Sequence, residues 1–418
     1  MKKILVVEDS RVVGTLLGNK LCKAGYKMVW AESMAQALAL LGEEDADFFC
    51  AILDFSLPDA PDGAIIPEVV ARGIPALVFT GNICNRVREL AWGNSVVDYV
   101  LKDNPFSYDY LVDMVRRLER NQTIKVLVVD DSAFSRKMMA DLLRVHLLEV
   151  HTAANGREAM ALLADHPDIA LVIADFHMPE MDGFALTQAI RQRFSREDLA
   201  IIGISSSCTD RTMPARFIKY GANDFIVKQS FLAEEFYSRV NQCLDDLENI
   251  RRLREAAVRD FLTGLYNRRY FFDFGHKLFA NVARKNITLT CGMIDIDLFK
   301  NVNDTYGHDV GDVALRHIAD IMARRMRETD LVARMGGEEF CVLAVNADAA
   351  SVPALFEDLR RRVAEAALDI GGGQRIGLTV SIGVAGSDDV FSLEEMVKRA
   401  DERLFLAKQA GRNRVVAG

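Results

Sequence analysis

The sequence of 418 residues has no long apolar run. No stretch approaches the ~20 consecutive apolar residues that a membrane-spanning helix needs. Two lysines followed by the apolar run Ile4–Val7 resemble the start of a signal peptide, but Glu8 and Asp9 end that run after four residues. We therefore expect a cytoplasmic protein without membrane insertion.

Patterned cysteines, proline tracts and an excess of positive charge are also missing. The seven cysteines are scattered, with neither a CxxC pair nor the cysteine and histidine spacing of a metal site, which predicts reduced thiols, mostly in the core. The nine prolines form no tract and no segment has low complexity, so wholesale disorder is excluded. A formal net charge of -9 argues against a general nucleic-acid surface, and we expect no nucleic-acid partner.

What the sequence does contain is an internal repeat. The segment KILVVEDS, which begins at Lys3, returns as KVLVVDDS at Lys125, 122 positions later. Each copy alternates short apolar runs with segments of helical period, which is typical of parallel βαβ units in a doubly wound α/β sheet. In the second copy the predicted strands are Val126–Val129, Val150–Ala153, Leu171–Ala174, Ile201–Ile204 and Asp224–Val227.

Polar residues follow these predicted strands and should meet at the edge where parallel strands end. They are Asp130, Asp131, Asp175, Ser205 and Lys228. Three neighbouring carboxylates repel one another unless Mg²⁺ or an ammonium group neutralises them. The set suits carboxylate phosphorylation, with Asp175 as nucleophile, the acidic pair as Mg²⁺ ligands, and Ser205 and Lys228 receiving phosphoryl oxygens. A single such aspartate is more often a helix cap or turn residue, but here five positions recur in both copies.

The segment DFHMPEMDG, which begins at Asp175, resembles the phosphoacceptor loop of response-regulator receiver domains. The first copy resembles them through Glu8, Asp9, Asp54, Thr80 and Lys102, with Asp54 as its phosphoacceptor. The resemblance implies two tandem flavodoxin-like receivers, at residues 1–121 and 122–245, and a sensor histidine kinase or phosphotransfer protein as partner.

Both copies depart from the receiver pattern. The first has one extra residue after Pro58, and Asp103 and Gln229 stand where a proline usually follows the lysine. Because duplicated receivers can keep one copy as a dimerisation adaptor, the insertion makes the first copy the better candidate for that role.

A helical connector is predicted after the second copy. No proline or glycine occurs from Ala233 to Arg259, and apolar residues recur there every three or four positions. They are Val240, Leu244, Leu247, Ile250, Leu253 and Ala257. The first half of this stripe could equally pack on its own domain, whereas residues 246–259 are charged around a narrow apolar seam that suits helix pairing between two subunits, as in a stalk.

The remaining residues, 260–418, contain a candidate phosphate-binding site of a different kind. Their predicted strands include Thr288–Ile296, Leu331–Arg334 and Phe340–Val345. Gly336 and Gly337 permit positive φ in a tight turn beside Glu338, and Asp295 ends the buried first strand. An aspartate and a glutamate from two elements can form a Mg²⁺ site for a nucleoside triphosphate, although Gly-Gly-Glu-Glu alone would be an ordinary hairpin turn with solvated acids.

Together with DFLTGLYNRR from Asp260 and RMGGEEF from Arg334, these features resemble the GGDEF family of diguanylate cyclases across roughly Asp260 to Val416. The resemblance implies an α/β cyclase domain whose divalent metal, Mg²⁺ or Mn²⁺, is held by Asp295, the Ile296 carbonyl and Glu338. It implies that the catalytic residues are Glu338, Lys300 and Glu339. It also implies that GTP is bound by Asn303, His308, Asp312, Lys408 and Arg412.

The chemistry of these residues fits the implied roles. A carboxylate at Asp312 can accept the N1–H and N2–H donors of guanine, and adenine does not offer that pattern. Lys300 would stabilise charge on the transferring phosphate, while Lys408 and Arg412 would hold the outer phosphates. Without the resemblance, the latter two would simply be solvated cations at a helix C-terminus.

A second nucleotide site is suggested by Arg327 and Asp330. An arginine can bind phosphate or guanine, and an aspartate can accept guanine N–H groups. The pair matches the product-inhibition motif of the resembled family, which makes cyclic di-GMP an expected feedback inhibitor as well as product. A local ion pair on a solvated helix end would explain the spacing equally well.

The sequence therefore predicts a phosphorylation-controlled diguanylate cyclase that makes cyclic di-GMP and pyrophosphate from two GTP molecules. Each half-site holds one GTP, so catalysis should need a two-fold symmetric homodimer. Two alternatives stay open: a catalytically silent GGDEF domain that acts as a nucleotide or cyclic di-GMP receptor, and a phosphorelay scaffold in which the receivers are the working part.

Overall fold

The chain forms two compact units, Met1–Ile250 and Arg251–Gly418. The computed structural model describes residues 1–43, 46–81, 95–205, 212–228, 232–283, 287–346, 352–388 and 390–417. Cys84, Cys208 and Gln229 lie outside the described residues. None of the described helices combines the length and hydropathy that crossing a bilayer requires.

The first copy of the repeat is an open parallel sheet with helices on both faces. Its elements are β1 (Lys3–Val7), α1 (Arg11–Lys23), β2 (Lys27–Ala31), α2 (Met34–Leu41), β3 (Phe48–Asp54), a 3₁₀ turn (Pro61–Gly63), α3 (Ile65–Val70), β4 (Ala76–Thr80), β5 (Asp98–Leu101) and α4 (Phe106–Asn121). The strand order is β2-β1-β3-β4-β5, and all pairs are parallel. This order is that of flavodoxin-like folds.

The second copy repeats this architecture. Its elements are β6 (Lys125–Val129), α5 (Ala133–Val145), β7 (Glu149–Ala153), α6 (Gly156–Asp165), β8 (Ile169–Asp175), α7 (Gly183–Arg191), β9 (Ala200–Ser205), α8 (Met213–Tyr220), β10 (Asp224–Val227) and α9 (Ala233–Val258). The order β7-β6-β8-β9-β10 reproduces that of the first copy, again with parallel pairs. Each observed strand contains the predicted one, and the central β8 is buried along its whole length.

Helix α9 behaves differently in its two halves. Val240, Leu244 and Leu247 are buried in the core of the second copy, where they pack with β6 and β8. Leu253, farther along the same helix, is 70% exposed. The first half of the predicted apolar stripe therefore belongs to the core of the second copy, and the exposed part of the stripe begins after it.

Helix α4 of the first copy lies against the same helix. Arg117 pairs with Asp245 at 2.5 Å, and Arg120 pairs with Glu248 at 2.7 Å. The hydroxyl of Tyr99, from β5, donates to Glu234 at 3.0 Å. Both copies thus hold the first half of α9.

The unit Arg251–Gly418 has a mixed sheet. Its described elements after α9 are β11 (Tyr266–Asn267), α10 (Arg268–Ala283), β12 (Leu289–Ile296), α11 (Phe299–Tyr306), α12 (His308–Arg325), β13 (Leu331–Gly336), β14 (Glu339–Val345), α13 (Val352–Glu365), β15 (Leu368–Gly371), β16 (Gln374–Ile376), β17 (Val380–Gly386), α14 (Leu393–Gln409) and β18 (Val415–Ala417). The order is β11-β13-β14-β12-β17-β18, with the fully buried β12 antiparallel to both neighbours. Apolar clusters cover both faces of this sheet.

A close backbone contact brings α14 onto the sheet. A Cβ at Gly383, in β17, would lie 2.1 Å from the carbonyl oxygen of Ala400 and from the nitrogen of Leu404. Only glycine lets the helix approach to this distance, because the contacting atoms are backbone and cannot move aside. This approach places the last turn of α14 beside the end of β12.

Candidate active and phosphoacceptor sites

The second copy brings its predicted acidic residues together. Carboxylate oxygens of Asp130, Asp131 and Asp175 lie within 4.8 Å of one another. The Nζ atom of Lys228 lies 2.6 Å from Asp130 and 2.7 Å from Asp175. Ser205 ends β9, is buried, and pairs in register with the residue before Lys228. The ammonium group thus supplies the neutralising charge that three crowded carboxylates require.

The first copy has the same geometry. Glu8, Asp9 and Asp54 place carboxylate oxygens within 4.8 Å of one another. Lys102 lies 2.6 Å from Glu8 and 2.8 Å from Asp54, and its backbone N–H donates to the carbonyl of Thr80 at 2.8 Å. The extra residue in the first copy therefore does not displace its acidic cluster.

The insertion has its own anchor. Both carboxylate oxygens of Asp59 accept hydrogen bonds at the start of α2, from the backbone N–H groups of Met34 at 3.0 Å and Ala35 at 2.9 Å. These bonds lower the pKa of Asp59. The longer loop is thus fastened to a helix N-terminus, where unpaired N–H groups favour a carboxylate.

Burial sets the protonation balance of the two clusters. Burial raises the pKa of Asp175, and the Lys228 ammonium opposes that shift. The pKa of Glu8 is raised in the same way, with Lys102 opposing. Burial tends to lower the pKa of Lys228, but its hydrogen bonds to Asp130 and Asp175 outweigh burial and raise it. Each lysine is therefore held charged by the carboxylates that it neutralises.

In the unit Arg251–Gly418, Asp295 lies one residue before the end of β12 as a buried carboxylate, 4% exposed. Lys408, in the last turn of α14, places its Nζ atom 2.8 Å from Asp295. Burial raises the pKa of Asp295, and the charges of Lys408 and Arg412 oppose that shift. Two of the predicted GTP-binding cations thus act on the predicted metal ligand.

Glu338 lies at the predicted glycine turn. Gly336 and Gly337 have φ values of 147° and 51°, and the carbonyl of Glu338 accepts from the backbone N–H of Ile296 at 3.3 Å. Burial raises the pKa of Glu338, with the charge of Asp295 as a further cause. The turn therefore holds a second carboxylate within electrostatic range of Asp295, so the residues present fit a divalent cation with oxygen ligands.

Arg334 fixes the shape of this turn. Its guanidinium donates to the carbonyl of Gly337 at 3.0 and 2.7 Å and to Asp260 at 3.1 Å. Asp260 in turn accepts from the N–H and hydroxyl of Thr263. The two sequence motifs around Asp260 and Arg334 thus meet in one hydrogen-bonded group. The sequence alone shows no such role for either residue.

The predicted guanine-binding residues lie on α11 and α12. A Cβ at Gly311 would be 1.9 Å from Oδ1 of Asn303, so the glycine makes room for this side chain next to Asp312. Four of the residues predicted to act on GTP have exposed side chains: Arg412, Asp312, His308 and Lys300. In the described part of the chain, no hydrogen bond or ion pair ties the Lys300 and His308 side chains to the Asp295 cluster.

Both carboxylate oxygens of Asp330 already accept hydrogen bonds from the backbone. Its carboxylate accepts from the backbone N–H of Arg327 at 2.9 Å and of Val345 at 3.0 Å. Among the described residues, its carboxylate and the Arg327 guanidinium form no ion pair, so the simple pairing considered for these residues does not occur. Arg327 is exposed.

Known proteins match both units. The model of the diguanylate cyclase GGDEF domain matches residues 257–414, and that of the response regulator receiver domain matches residues 126–241. A crystal structure assigned to a two-component system response regulator/GGDEF domain protein is 40% identical, with a TM-score of 0.53, and covers 59% of this chain and 100% of that chain. The chain belongs to the GGDEF family of response regulators.

Curated relatives agree with this assignment. Response regulator PleD of Caulobacter vibrioides (strain NA1000 / CB15N) is 29% identical over 461 aligned positions, which cover 99% of this chain and 98% of PleD. Diguanylate cyclase A of Treponema denticola is 42% identical over 171 positions, 40% of this chain and 46% of that protein. This GGDEF response regulator is a diguanylate cyclase, and enzymes of its family depend on a divalent metal.

The lysine of the second receiver offers a test of the charge balance. Lys228→Met leaves Asp130 and Asp175 buried without a counter-charge, so the free energy of unfolding of Met1–Ile250 should fall by about 3 kcal/mol at pH 7.5. The loss should shrink towards pH 5, because the raised pKa of Asp175 rises further without Lys228 and protonation then relieves the repulsion. Added Mg²⁺ should also reduce it.

Urea unfolding of the full chain, followed at pH 7.5 and pH 5 with and without Mg²⁺, measures these effects. Lys219→Met removes an exposed lysine of α8 and serves as the matched control. A loss of stability that is the same at both pH values would contradict the assigned role of Lys228.

Proposed function

We propose that this diguanylate cyclase joins two GTP molecules into cyclic di-GMP at the site formed by Asp295, Glu338 and Lys408, under control of two receivers. The proposed domains are residues 1–121 and 122–245 as receivers, 246–259 as a helical stalk, and 260–418 as the cyclase. The observation that carries the catalytic part is the buried Asp295, paired with Lys408 beside the glycine turn of Glu338.

Asp295, the Ile296 carbonyl and Glu338 would hold the divalent metal, Mg²⁺ or Mn²⁺. The ion would polarise the phosphate oxygens of GTP and lower the pKa of the attacking hydroxyl. Lys408 now neutralises Asp295 and would be free to contact the outer phosphates, with Arg412, once a cation takes over that charge. Such an exchange keeps the buried carboxylate neutralised in both states.

Glu338, assisted by Glu339, would accept the proton of the 3′-hydroxyl of one GTP. The resulting oxygen attacks the α-phosphorus of a second GTP and expels pyrophosphate, while Lys300 stabilises the charge on the transferring phosphate. A second, symmetric transfer closes the ring. Burial raises the pKa of Glu338 towards the range in which a carboxylate is a more effective base.

Guanine selection is assigned to Asn303 and Asp312, with His308 lining the same nucleotide site. The absence of a side chain at Gly311, the residue before Asp312 in α12, leaves space for the Asn303 amide. Because each cyclase domain would bind a single GTP, two copies must face each other, which makes the active form a homodimer.

Glu338→Gln should lower the formation of cyclic di-GMP by about two to four orders of magnitude, because an amide can neither accept the proton nor bind a metal as an anion. Wild-type enzyme should make the product from GTP and no cyclic product from ATP. Nucleotide chromatography after incubation with Mg²⁺ measures both. Glu402→Gln, on the exposed face of α14, should be neutral, and turnover retained in Glu338→Gln would remove Glu338 from the mechanism.

We propose that Asp175 is the main activating phosphoacceptor, with a sensor histidine kinase or phosphotransfer protein as donor. The second receiver contains α9 in its own core, whereas the first reaches it through α4. Asp54 lies in the same acidic geometry and is therefore proposed as a second acceptor. Its effect should be weaker, because the first receiver reaches α9 through α4 and not through its own core.

Beryllium fluoride with Mg²⁺ should raise the rate of cyclic di-GMP formation about fivefold or more. Asp175→Asn should abolish this stimulation because the amide cannot form the acyl-phosphate mimic, while Asp54→Asn should keep most of it. The two variants are matched controls for each other, and an equal or reversed effect on the rate would make the first receiver the input.

Cyclic di-GMP is also proposed as a non-competitive inhibitor held at the Arg327–Asp330 loop, where the Arg327 guanidinium would contact the ligand and Asp330 would fasten the loop that carries it. With GTP sites blocked by a non-hydrolysable analogue, Arg327→Ala should weaken product binding in calorimetry roughly tenfold, because a charged hydrogen-bond donor is lost. Arg316→Ala, an exposed arginine of α12, should bind as wild type does. Unchanged binding in Arg327→Ala would reject this site.

A further inference from the structure

The loop after α14 has an unusual backbone. Gly411, Arg412 and Asn413 have φ values of 112°, 63° and 46°, so three successive residues adopt the left-handed region. Arginine rarely adopts this conformation, which persists only where surrounding contacts hold it. The side chain of Arg412 is therefore placed by whatever fastens this loop.

The backbone N–H of Arg412 itself donates to the carbonyl of Ala407, in α14, at 3.1 Å. Asp297 provides the first fastening from outside that helix. Its carboxylate, in a residue 7% exposed, accepts from the backbone N–H of Asn413 at 3.0 Å and from the hydroxyls of Thr379 at 2.8 Å and Ser381 at 2.7 Å. Both oxygens are thus occupied by groups of the protein itself. Although it lies two residues from Asp295, Asp297 clamps the chain and has no free oxygen, so Asp295 is the carboxylate that would hold a cation.

Arg360, on α13, provides the second fastening. Its guanidinium donates to Oδ1 of Asn413 at 2.6 Å and is itself held by Glu357 at 2.6 and 2.9 Å. The backbone of Asn413 is therefore tied to Asp297, at the end of β12, and its side chain is tied to α13. The residue before it, Arg412, carries the predicted phosphate contact.

We propose that Asp297 is a positioning residue for GTP binding: by clamping Asn413, with Arg360 as a second clamp, it holds Arg412 in the orientation that grips the outer phosphates. The electrostatic effect of Arg412 on Asp295 is consistent with this position of the loop. The inference rests on the proposed role of Arg412 in the cyclase site.

Asp297→Asn is the primary variant. The amide has the same size but no negative charge, so the charge-assisted hydrogen bond from the backbone N–H of Asn413 becomes a weaker neutral one, while the hydroxyls of Thr379 and Ser381 can turn to accept from the amide. Affinity for a non-hydrolysable GTP analogue, measured by calorimetry, should fall roughly tenfold. KM for GTP should rise in parallel, while kcat changes by less than about threefold, because the reacting atoms are untouched.

A double-mutant cycle separates positioning from general damage. In an Arg412→Ala background, Asp297→Asn should weaken nucleotide binding by less than about twofold, since the group that it positions is already gone. The same factor in both backgrounds would overturn the proposal, as would a fall in kcat with unchanged binding. Thermal unfolding of each variant shows whether the cyclase unit is folded.

Asn413→Gly keeps the test decisive if Asp297→Asn does not fold. Glycine tolerates the positive φ and keeps the backbone N–H, so this change removes only the Arg360 contact. It should weaken analogue binding about threefold, and the effect should vanish in the Arg412→Ala background; binding equal to wild type would overturn the role of the clamp. Wild-type enzyme that makes no cyclic di-GMP would refute the proposed function. The calorimetric affinity for the GTP analogue would still test whether Asp297 positions Arg412.

Discussion

A buried carboxylate neutralised by a lysine from a later part of the chain is the interaction on which both copies of the repeat and the unit Arg251–Gly418 depend. Lys102 lies 2.8 Å from Asp54, Lys228 lies 2.7 Å from Asp175, and Lys408 lies 2.8 Å from Asp295. Asp54 and Asp175 end their strands, and Asp295 is the residue before the last of β12. Without the lysine the desolvated charge would oppose folding, and with it the site stays ready for a cation or phosphate. The same device therefore recurs in both copies of the repeat and in the unit that matches the GGDEF model.

Much of this arrangement could be predicted from the sequence because it depends on short patterns. Apolar runs that end in acids fixed both the strands and the point at which they meet, so every predicted strand of the second copy lies within an observed one. The repeat at an offset of 122 positions carried the same assignment to the first copy. Glycine at positions 336 and 337 predicted the positive φ of the cyclase turn.

The rest depends on contacts between distant parts of the chain, which leave no local pattern. Asp297 follows β12 directly, but its three donors come from β17, the segment before β17 and the C-terminal loop. The anchor of the insertion, Asp59, could not be read from its own segment, because its donors begin α2. Nothing in the sequence near Asp330 shows that its carboxylate accepts hydrogen bonds from the backbone N–H groups of Arg327 and Val345. Sequence spacing identifies residue types that can act, whereas tertiary hydrogen bonds decide which of them are already engaged.

The first copy of the repeat holds helix α9 by weaker contacts than the second copy does. Its contacts with that helix include two partly exposed ion pairs, from Arg117 and Arg120, and each such pair contributes at most about 1 kcal/mol. Making or breaking both would change an equilibrium of the helix by no more than about 30-fold. The second receiver, by contrast, buries Val240, Leu244 and Leu247 of the same helix in its core. The two copies of the repeat therefore hold α9 unequally: its release from the first would break mainly polar contacts, whereas its release from the second would expose three core side chains to water.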